Sequence, residues 1–566
     1  MLMARYTRVF FILILAVLFL TNVRTPRVNA QQATAAHNTP TPHVVADANG
    51  YVGNQPCASC HSDIYNSYMS TAMARASGTA TQGFMAGDFM HAASGAHYRV
   101  YEDKGEAWLS FERTAEPQVR GTRKLEYFIG SGKRGRTYLF SDDGFVFESP
   151  VNWYSQKHVW DMAPAYQKSR TIPLNLAAVP ACLNCHTSNS QAPIAGTENK
   201  YAAPLFAHAG ITCERCHGLG ASHVTSKGPI VNPKKLSAEQ RDAICMQCHL
   251  EGNAAIEQPG HHLGDFQPGQ NLSDSVHYFV LETGSGDSFR ALSQTEALAH
   301  SLCKRKSGDA MSCTSCHDPH SSPSAAKRVT YYRAKCLTCH GGAFAAKHHV
   351  ENPDCTQCHM PRTSTADVMH TQATDHSIPR VPHMPLQNLT AAETHLYRFP
   401  ASETPDSNRD LALAWITLAQ AGMSSAGPEV EQYLRKALAD YPDDQSLLTA
   451  MAFLEQRRGN VDQARQLYEH ALRVDPKLTD AATNLGVLEF KAGHADKAIS
   501  LWQDAFVRAP GRSAIGMNLV RVLCAGSQFE KARTNVSRVL EFNPDLPLAL
   551  QLQKSLNANP PSCALQ

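Results

Sequence analysis

Charge is scarce in this chain. Asp, Glu, Lys and Arg make up 18% of its 566 residues, and 52 basic against 50 acidic residues leave a formal +2. With no basic excess there is no electrostatic footprint for nucleic acid. Long apolar runs are scarce too. Only Val9 to Leu20 stands out, twelve residues that as a helix reach about 18 Å, short of the roughly 30 Å hydrocarbon core. Beyond it nothing is long and apolar enough to span a membrane. Cysteine outside one recurring pattern is almost missing. Of 17 cysteines, 14 belong to the pattern, and Cys303, Cys524 and Cys563 are left over. An odd remainder argues against a simple disulfide framework, so Cys303 and Cys524 are expected as buried free thiols.

The pattern is Cys-x-x-Cys-His, and it occurs seven times: Cys57/Cys60/His61, Cys182/Cys185/His186, Cys213/Cys216/His217, Cys245/Cys248/His249, Cys313/Cys316/His317, Cys336/Cys339/His340 and Cys355/Cys358/His359. The last three fall within 47 residues. A lone Cys-x-x-Cys is compatible with a redox dithiol or half a zinc site. Neither needs a His after the second Cys, and all seven copies have one. The chemistry that needs all three residues is covalent attachment of c-type haem. Two thiols add across the porphyrin vinyl groups, and the adjacent His reaches the iron.

The N-terminus reads as a secretory signal over residues 1–30. Arg5 and Arg8 precede the apolar run, and Val28-Asn29-Ala30 supplies small residues for cleavage. Export suits c-type haem, which bacteria attach outside the cytoplasm, so a periplasmic location is expected. Cleavage removes Arg5, Arg8, Arg24 and Arg27 and no acid, turning +2 into −2. Seven ferric haems with ionised propionates then bring the holo-protein to roughly −9.

After a flexible leader (31–50), residues 51–400 read as a heptahaem cytochrome domain, mostly helical and irregular, with porphyrin in place of a side-chain core. A small antiparallel β insert is expected at about 96–160. Asp103-Lys-Gly105 and Asp142-Asp-Gly144 sit between alternating strands there as hairpin signals. Gly130-Ser-Gly132-Lys-Arg-Gly135 matches G-x-G-x-x-G, but a strand pattern follows it. A dinucleotide site needs a helix at that point, so nucleotide binding is excluded. From 405 to 555 the chemistry stops and a repeat takes over. Pro442, Pro476, Pro510 and Pro544 are 34 residues apart, as are Ala464, Ala498 and Ala532. That period is the signature of tetratricopeptide repeats, an all-α solenoid. Residues 556–566 form a tail.

Twenty histidines lie outside the motifs. Sixteen of them fall between Cys57 and Pro400, against two, His470 and His494, in the repeat region. The surplus is enough for a second axial imidazole on every iron, and such ligation suits electron transfer. A His just past one motif reaches a neighbouring haem more easily than its own. On that ground His223, His320, His348 or His349, His370 and His376 are the expected distal ligands, with His91 as a more distant one. His208, His261, His262, His277 and His300 are open between ligand, surface and propionate roles. Met162 is a less favoured ligand.

Gly210-Ile-Thr-Cys-Glu-Arg-Cys-His-Gly-Leu-Gly-Ala-Ser-His-Val224, Cys313-Thr-Ser-Cys-His-Asp-Pro-His320 and Cys355-Thr-Gln-Cys-His-Met-Pro-Arg362 resemble the multihaem cytochromes c. Within these they are similar to the group that contains the tetrahaem carrier of ammonia oxidisers and hydroxylamine oxidoreductase. The segment around Ile129-Gly-Ser-Gly-Lys133 and the C-terminal repeats resemble a bacterial subgroup that fuses such a cytochrome to tetratricopeptide repeats. The resemblance implies that His223 and His320 are distal ligands. It does not extend to catalysis, because the Cys-x-x-Cys-Lys of the nitrite reductases and an identifiable cross-linking Tyr are missing.

Together these features point to a periplasmic carrier that passes electrons along seven haems, with the repeats docking redox partner proteins. The alternatives are an oxidoreductase acting on a small nitrogen or sulfur oxyanion at one open haem, and a repeat scaffold with structural haems. The motif count makes a direct prediction. Pyridine haemochrome analysis of the exported protein gives seven haems per chain, and a Cys336→Ala/Cys339→Ala variant gives six.

Overall fold

The computed structural model describes residues 46–47, 50–282, 290, 294–346, 348, 351–365, 367–381, 395–402, 405–422 and 428–563. The signal segment, most of the leader and His349 lie outside the described residues. No helix among the described residues is long and apolar enough to cross a membrane.

The first part of the chain is sheet because its turns and its period-two alternation agree. Nine strands run from residue 77 to 162: β1 Ser77–Thr79, β2 Gly87–His91, β3 Ala96–Asp103, β4 Glu106–Arg113, β5 Arg120–Leu125, β6 Tyr127–Ile129, β7 Gly135–Asp142, β8 Phe145–Tyr154 and β9 Val159–Met162. They form a four-stranded sheet, β2-β3-β4-β5, and a five-stranded one, β1-β6-β7-β8-β9. The first two strands precede the compositional change at 96. They are short and glycine-bearing, so alternation alone does not reveal them. Both Asp-x-Gly signals are two-residue turns with positive φ at each centre: Lys104 (51°) and Gly105 (77°), then Asp143 (51°) and Gly144 (79°). That geometry matches the right-handed twist of the flanking strands. Tyr98, Val100, Leu109 and Phe111 alternate inward to meet Tyr138, Phe140 and Phe147 in one core. The glycine-rich segment is a loop leading into β7. A Cβ on Gly130 would stand 2.7 Å from the Gly135 carbonyl oxygen, so the loop closes only around glycine.

The motifs sit on short helical turns, among them Pro180–His186, Glu214–His217, Ala238–His249, Cys313–Cys316, Arg328–Ala345 and Cys355–His359. From Cys313 to His370 no described residue is buried. Helices are present there, but a side-chain core is not.

Nine helices follow among the described residues, from Asn408–Gln420 to Pro547–Leu556. Helices ending at Asp440, Val474, Arg508 and Phe542 each stop two residues before one of the periodic prolines, which cannot continue a helix. Ala464, Ala498 and Ala532 are fully buried where helices cross. Gly486 serves the same end, since a Cβ there would lie 2.6 Å from the Trp502 indole nitrogen. Cys524 is not a free thiol, contrary to the sequence expectation. It is bonded to Cys563 across 39 residues, with 5.8 Å between the Cα atoms. Helix Pro547–Leu556 carries the chain end back onto Ser513–Ala525, a proximity that spacing alone does not show.

The repeats are packed against the first part of the chain at both ends. At the near end Ala414 shares a core with Ala254, Ile256 and Phe279, and His277 Nδ1 lies 2.8 Å from Asp410. At the far end Phe542 packs against Phe147 with ring centres 4.8 Å apart and planes tilted by 44°. Beside it Asp545, with 1% of its side chain exposed, pairs with Arg113 and accepts from the Ile172 backbone N–H at 3.0 Å. Removing one partner of such a buried pair strands the other. Asp545→Ala is expected to lower stability by about 3–5 kcal/mol, read as an earlier urea midpoint together with faster hydrogen exchange at Ile172.

Candidate metal centres

Thiols of different motifs face one another. Cys57 lies close to Cys213, Cys185 to Cys248, Cys245 to Cys313 and Cys336 to Cys355. Cys216 also feels the charge of Cys248, and Cys316 that of Cys339. These contacts join all seven motifs into one contiguous set, although 125 residues of chain separate the first two. Burial pushes the Cys216 thiol up to about 11. Burial and the neighbouring Glu148 push Cys182 up to about 12. The shifts are not all in one direction, since the facing thiols Cys213, Cys185 and Cys245 lower the pKa of Cys57, Cys248 and Cys313. Among the described residues no group of three or more His, Cys, Asp or Glu is arranged to hold a bare metal ion, as a zinc ribbon requires.

Three motif histidines face a second histidine. His217 and His320 have ring centres 5.9 Å apart and planes 12° from parallel. For His317 and His376 the values are 6.3 Å and 29°, and for His348 and His359 they are 6.0 Å and 29°. Two imidazoles on opposite sides of one metal, each bonded at about 2.0 Å, place their ring centres roughly 6 Å apart. The tautomers agree with that role. Nδ1 of His217, His359 and His376 lies 2.8–2.9 Å from the carbonyl oxygens of Val231, Pro379 and Thr374, and Nδ1 of His223 is 2.8 Å from that of Gly228. Each Nδ1–H donates, which leaves Nε2 with the lone pair a metal needs. Burial lowers the pKa of His186, His217, His249, His317 and His376, and so favours the neutral, ligating form.

The surroundings of the seven motifs differ. Cys60 and Cys339 are exposed, as are His61, His249, His317 and His340. In the first motif Cys60 is exposed, with its sulfur 3.8 Å from the Ser59 hydroxyl, while Cys57 alone meets another motif. His61 is exposed as well. It stands at the N-cap of helix Ser62–Met69, and no described histidine ring stacks on it, although its charge reaches His217. In the sixth motif His340 is exposed and lies against Phe344, across the helix break at Gly341, with ring centres 5.3 Å apart. Phe344 in turn stacks on His348 at 4.9 Å, and it is His359 that His348 faces. In the seventh motif Cys358 is half-buried, and Cys355 makes the contact to Cys336.

Other candidates are also placed differently. His370 presents Nε2 to Asp161 at 2.8 Å, which occupies the nitrogen an iron would take. His91 stands at the end of β2 with Nδ1 2.8 Å from Ser94. His208 lies 3.5 Å from Asp47, His262 2.7 Å from Glu257, and His300 3.4 Å from the Tyr397 hydroxyl. His277 belongs to the seam with the repeats.

Sequence reading missed two supports. Glu214, inside the third motif and 2% exposed, accepts from the backbone N–H groups of Val52, Gly53 and Gly220 at 2.9–3.0 Å. It ties the first motif's entry segment to the third motif. Its place between the two cysteines was visible, but its partners 161 and 162 residues away were not. Asn54 adds a second tie by accepting from the Cys213 backbone N–H at 2.9 Å.

The described residues fit haem. Thiol pairs, neutral histidines with free Nε2 atoms and helices lacking a core are the donor set and the gap that the group would fill. Comparisons with known proteins agree on the features. A family described as doubled CXXCH motif matches residues 306–344, and one described as cytochrome c554 and c-prime matches 150–218. The chain is 27% identical over 158 residues to the multiheme cytochrome MtrA of Shewanella baltica (strain OS185), covering 25% of this chain and 46% of that protein. It is 28% identical over 142 residues to tetratricopeptide repeat protein 7A of Homo sapiens, covering 24% and 17%. The match thus spans less than half the length of either relative. Among solved structures, MamA 41-end from Desulfovibrio magneticus RS-1 is 16% identical with a TM-score of 0.24, covering 28% of this chain and 86% of that one. Pseudomonas aeruginosa pilF is 22% identical with a TM-score of 0.24, covering 26% and 67%. The chain therefore carries the features of a multihaem c-type cytochrome, with helical repeats after them.

Glu214→Gln removes charge-assisted bonds at the junction of the first and third motifs. The expected loss is roughly 3 kcal/mol, with faster amide exchange at Val52, Gly53 and Gly220. Unchanged exchange at those three amides would show that Glu214 is not the tie.

Proposed function

We propose that this protein is a periplasmic electron carrier whose seven Cys-x-x-Cys-His motifs each hold one c-type haem, and that its repeat region docks a redox partner protein. The observation that carries this reading is the set of three histidine pairs, His217/His320, His317/His376 and His359/His348. In each, a motif histidine meets a histidine from elsewhere at the separation expected across one metal. The second ligands are crossed: His320 follows the fifth motif and serves the third, and His376 follows the seventh and serves the fifth. Haem, when bound, supplies a one-electron iron couple at each motif.

The chain's own residues do the rest. Cysteine pairs fix each porphyrin edge, and backbone carbonyls orient the imidazoles through Nδ1. Two strong imidazole ligands close the iron to substrate, which favours electron transfer over catalysis. The contiguous motif thiols keep successive centres adjacent. The Cys524–Cys563 bond supports an oxidising compartment, in line with the signal segment. Because both ends of the repeats are packed on the sheets, partner docking falls to the remaining repeat surface, where Phe453 and Phe490 are exposed.

Electron paramagnetic resonance of the oxidised holo-protein tests the reading. At the three paired motifs, low-spin signals that do not respond to cyanide or nitrite are expected. A persistent high-spin signal that responds to nitrite would replace the carrier with an oxidoreductase. His376→Ala is expected to convert one low-spin centre to high spin while the haem count stays at seven.

A further inference from the structure

The glycine-rich loop that excluded a nucleotide has a use of its own. It forms one wall of a surface cavity of about 310 Å³, lined by Ser70, Arg75, Ser131, Gly132, Lys133 and Ser322 with Ala72. Three separate segments meet there. Two cations and three hydroxyls line the cavity, and no lining residue is acidic. Arg75 is steadied by the Ser70 carbonyl and, through Nε at 3.3 Å, by the Thr71 carbonyl, so its outer guanidinium edge is left for another acceptor.

A third cation stands behind the loop. Arg136, 8% exposed, has an Nη atom 3.9 Å from where a Cβ of Gly132 would be. It bonds the Gln82 and Gly83 carbonyls, stacks on Phe128, and has an Nε without a partner. Gly132 has positive φ, at 79°, and brings backbone rather than side chain to the cavity wall. Converging cations and hydroxyls at a glycine-lined wall are how proteins hold anionic oxygens.

We propose that Arg75 and Lys133, with the serines around them, bind an anionic oxygen group, either a small free oxyanion or a carboxylate of a bound haem. The haem source rests on the function proposed above, and the free-oxyanion source does not. Ser322 is two residues past His320, so charge in this cavity acts close to the His217/His320 pair.

The test uses the full-length holo-protein and its Lys133→Gln and Arg75→Gln variants, with inorganic phosphate and sulfate as probes in calorimetry and with potentiometric titration of the haems. Phosphate or sulfate binding by the wild type that weakens about tenfold in both variants, the worth of one charge-assisted bond, identifies a free oxyanion. Absence of binding, with one midpoint potential moved to more negative values in both variants at unchanged haem count, identifies a haem carboxylate. If the wild type binds neither anion and no potential moves, the proposal is wrong. Pyridine haemochrome on the same samples separates the two readings. A wild type without haem refutes the carrier and leaves the anion titration to decide the cavity.

Discussion

Helices without a core do not hold themselves together in water. Isolated helices of a few turns are marginal, and most helical stability in proteins comes from packing an apolar face. From Cys313 to His370 this chain forms helices with no buried residue among those described, yet three of its seven motifs lie there. Something other than side chains has to supply the buried apolar surface. We propose that porphyrin does, and the rest of the architecture follows. Short helical turns suffice because each only has to present two thiols and an imidazole. Histidines far apart in sequence have to converge because each iron has two faces.

The remaining parts are ordinary protein and surround the part that is not. The two sheets have a closed aromatic core, and the repeats have small residues at their crossings. These two regions meet at Phe147/Phe542 and Arg113/Asp545, and the repeats meet the antiparallel strands Ala254–Glu257 and Val276–Glu282 through Ala414. The repeat solenoid therefore spans between two places on the motif-bearing part and is not a tethered arm.

Much of this was legible in the sequence wherever the signal was local or periodic. The two Asp-x-Gly hairpins, the strand after the glycine-rich loop and the helix ends before the 34-residue prolines all follow from backbone chemistry within a few residues. The pairing of His320 with His217 was legible only as crossing between neighbours, because nothing local says which neighbour. The unequal surroundings of the seven motifs were hidden for the same reason. Three identical residues per motif look alike in sequence, whereas Cys60, His61 and His340 are exposed and their counterparts Cys185, His186 and His217 are half-buried. Long-range partners were not legible at all. Glu214 with Val52, His370 with Asp161 and Cys524 with Cys563 each depend on where distant segments come to lie. The reading of Cys524 as a free thiol failed on that account.

The central claim is that porphyrin is the core of the segment from Cys313 to His359. Hydrogen exchange of the backbone amides in that segment, compared between holo-protein and chain produced without haem, tests it most directly. The account predicts strong protection of Arg328–Ala345 and Cys355–His359 in the holo-protein and exchange close to that of an unfolded chain without haem, while the repeats stay protected in both. Equal protection of those helices in the haem-free chain would contradict it.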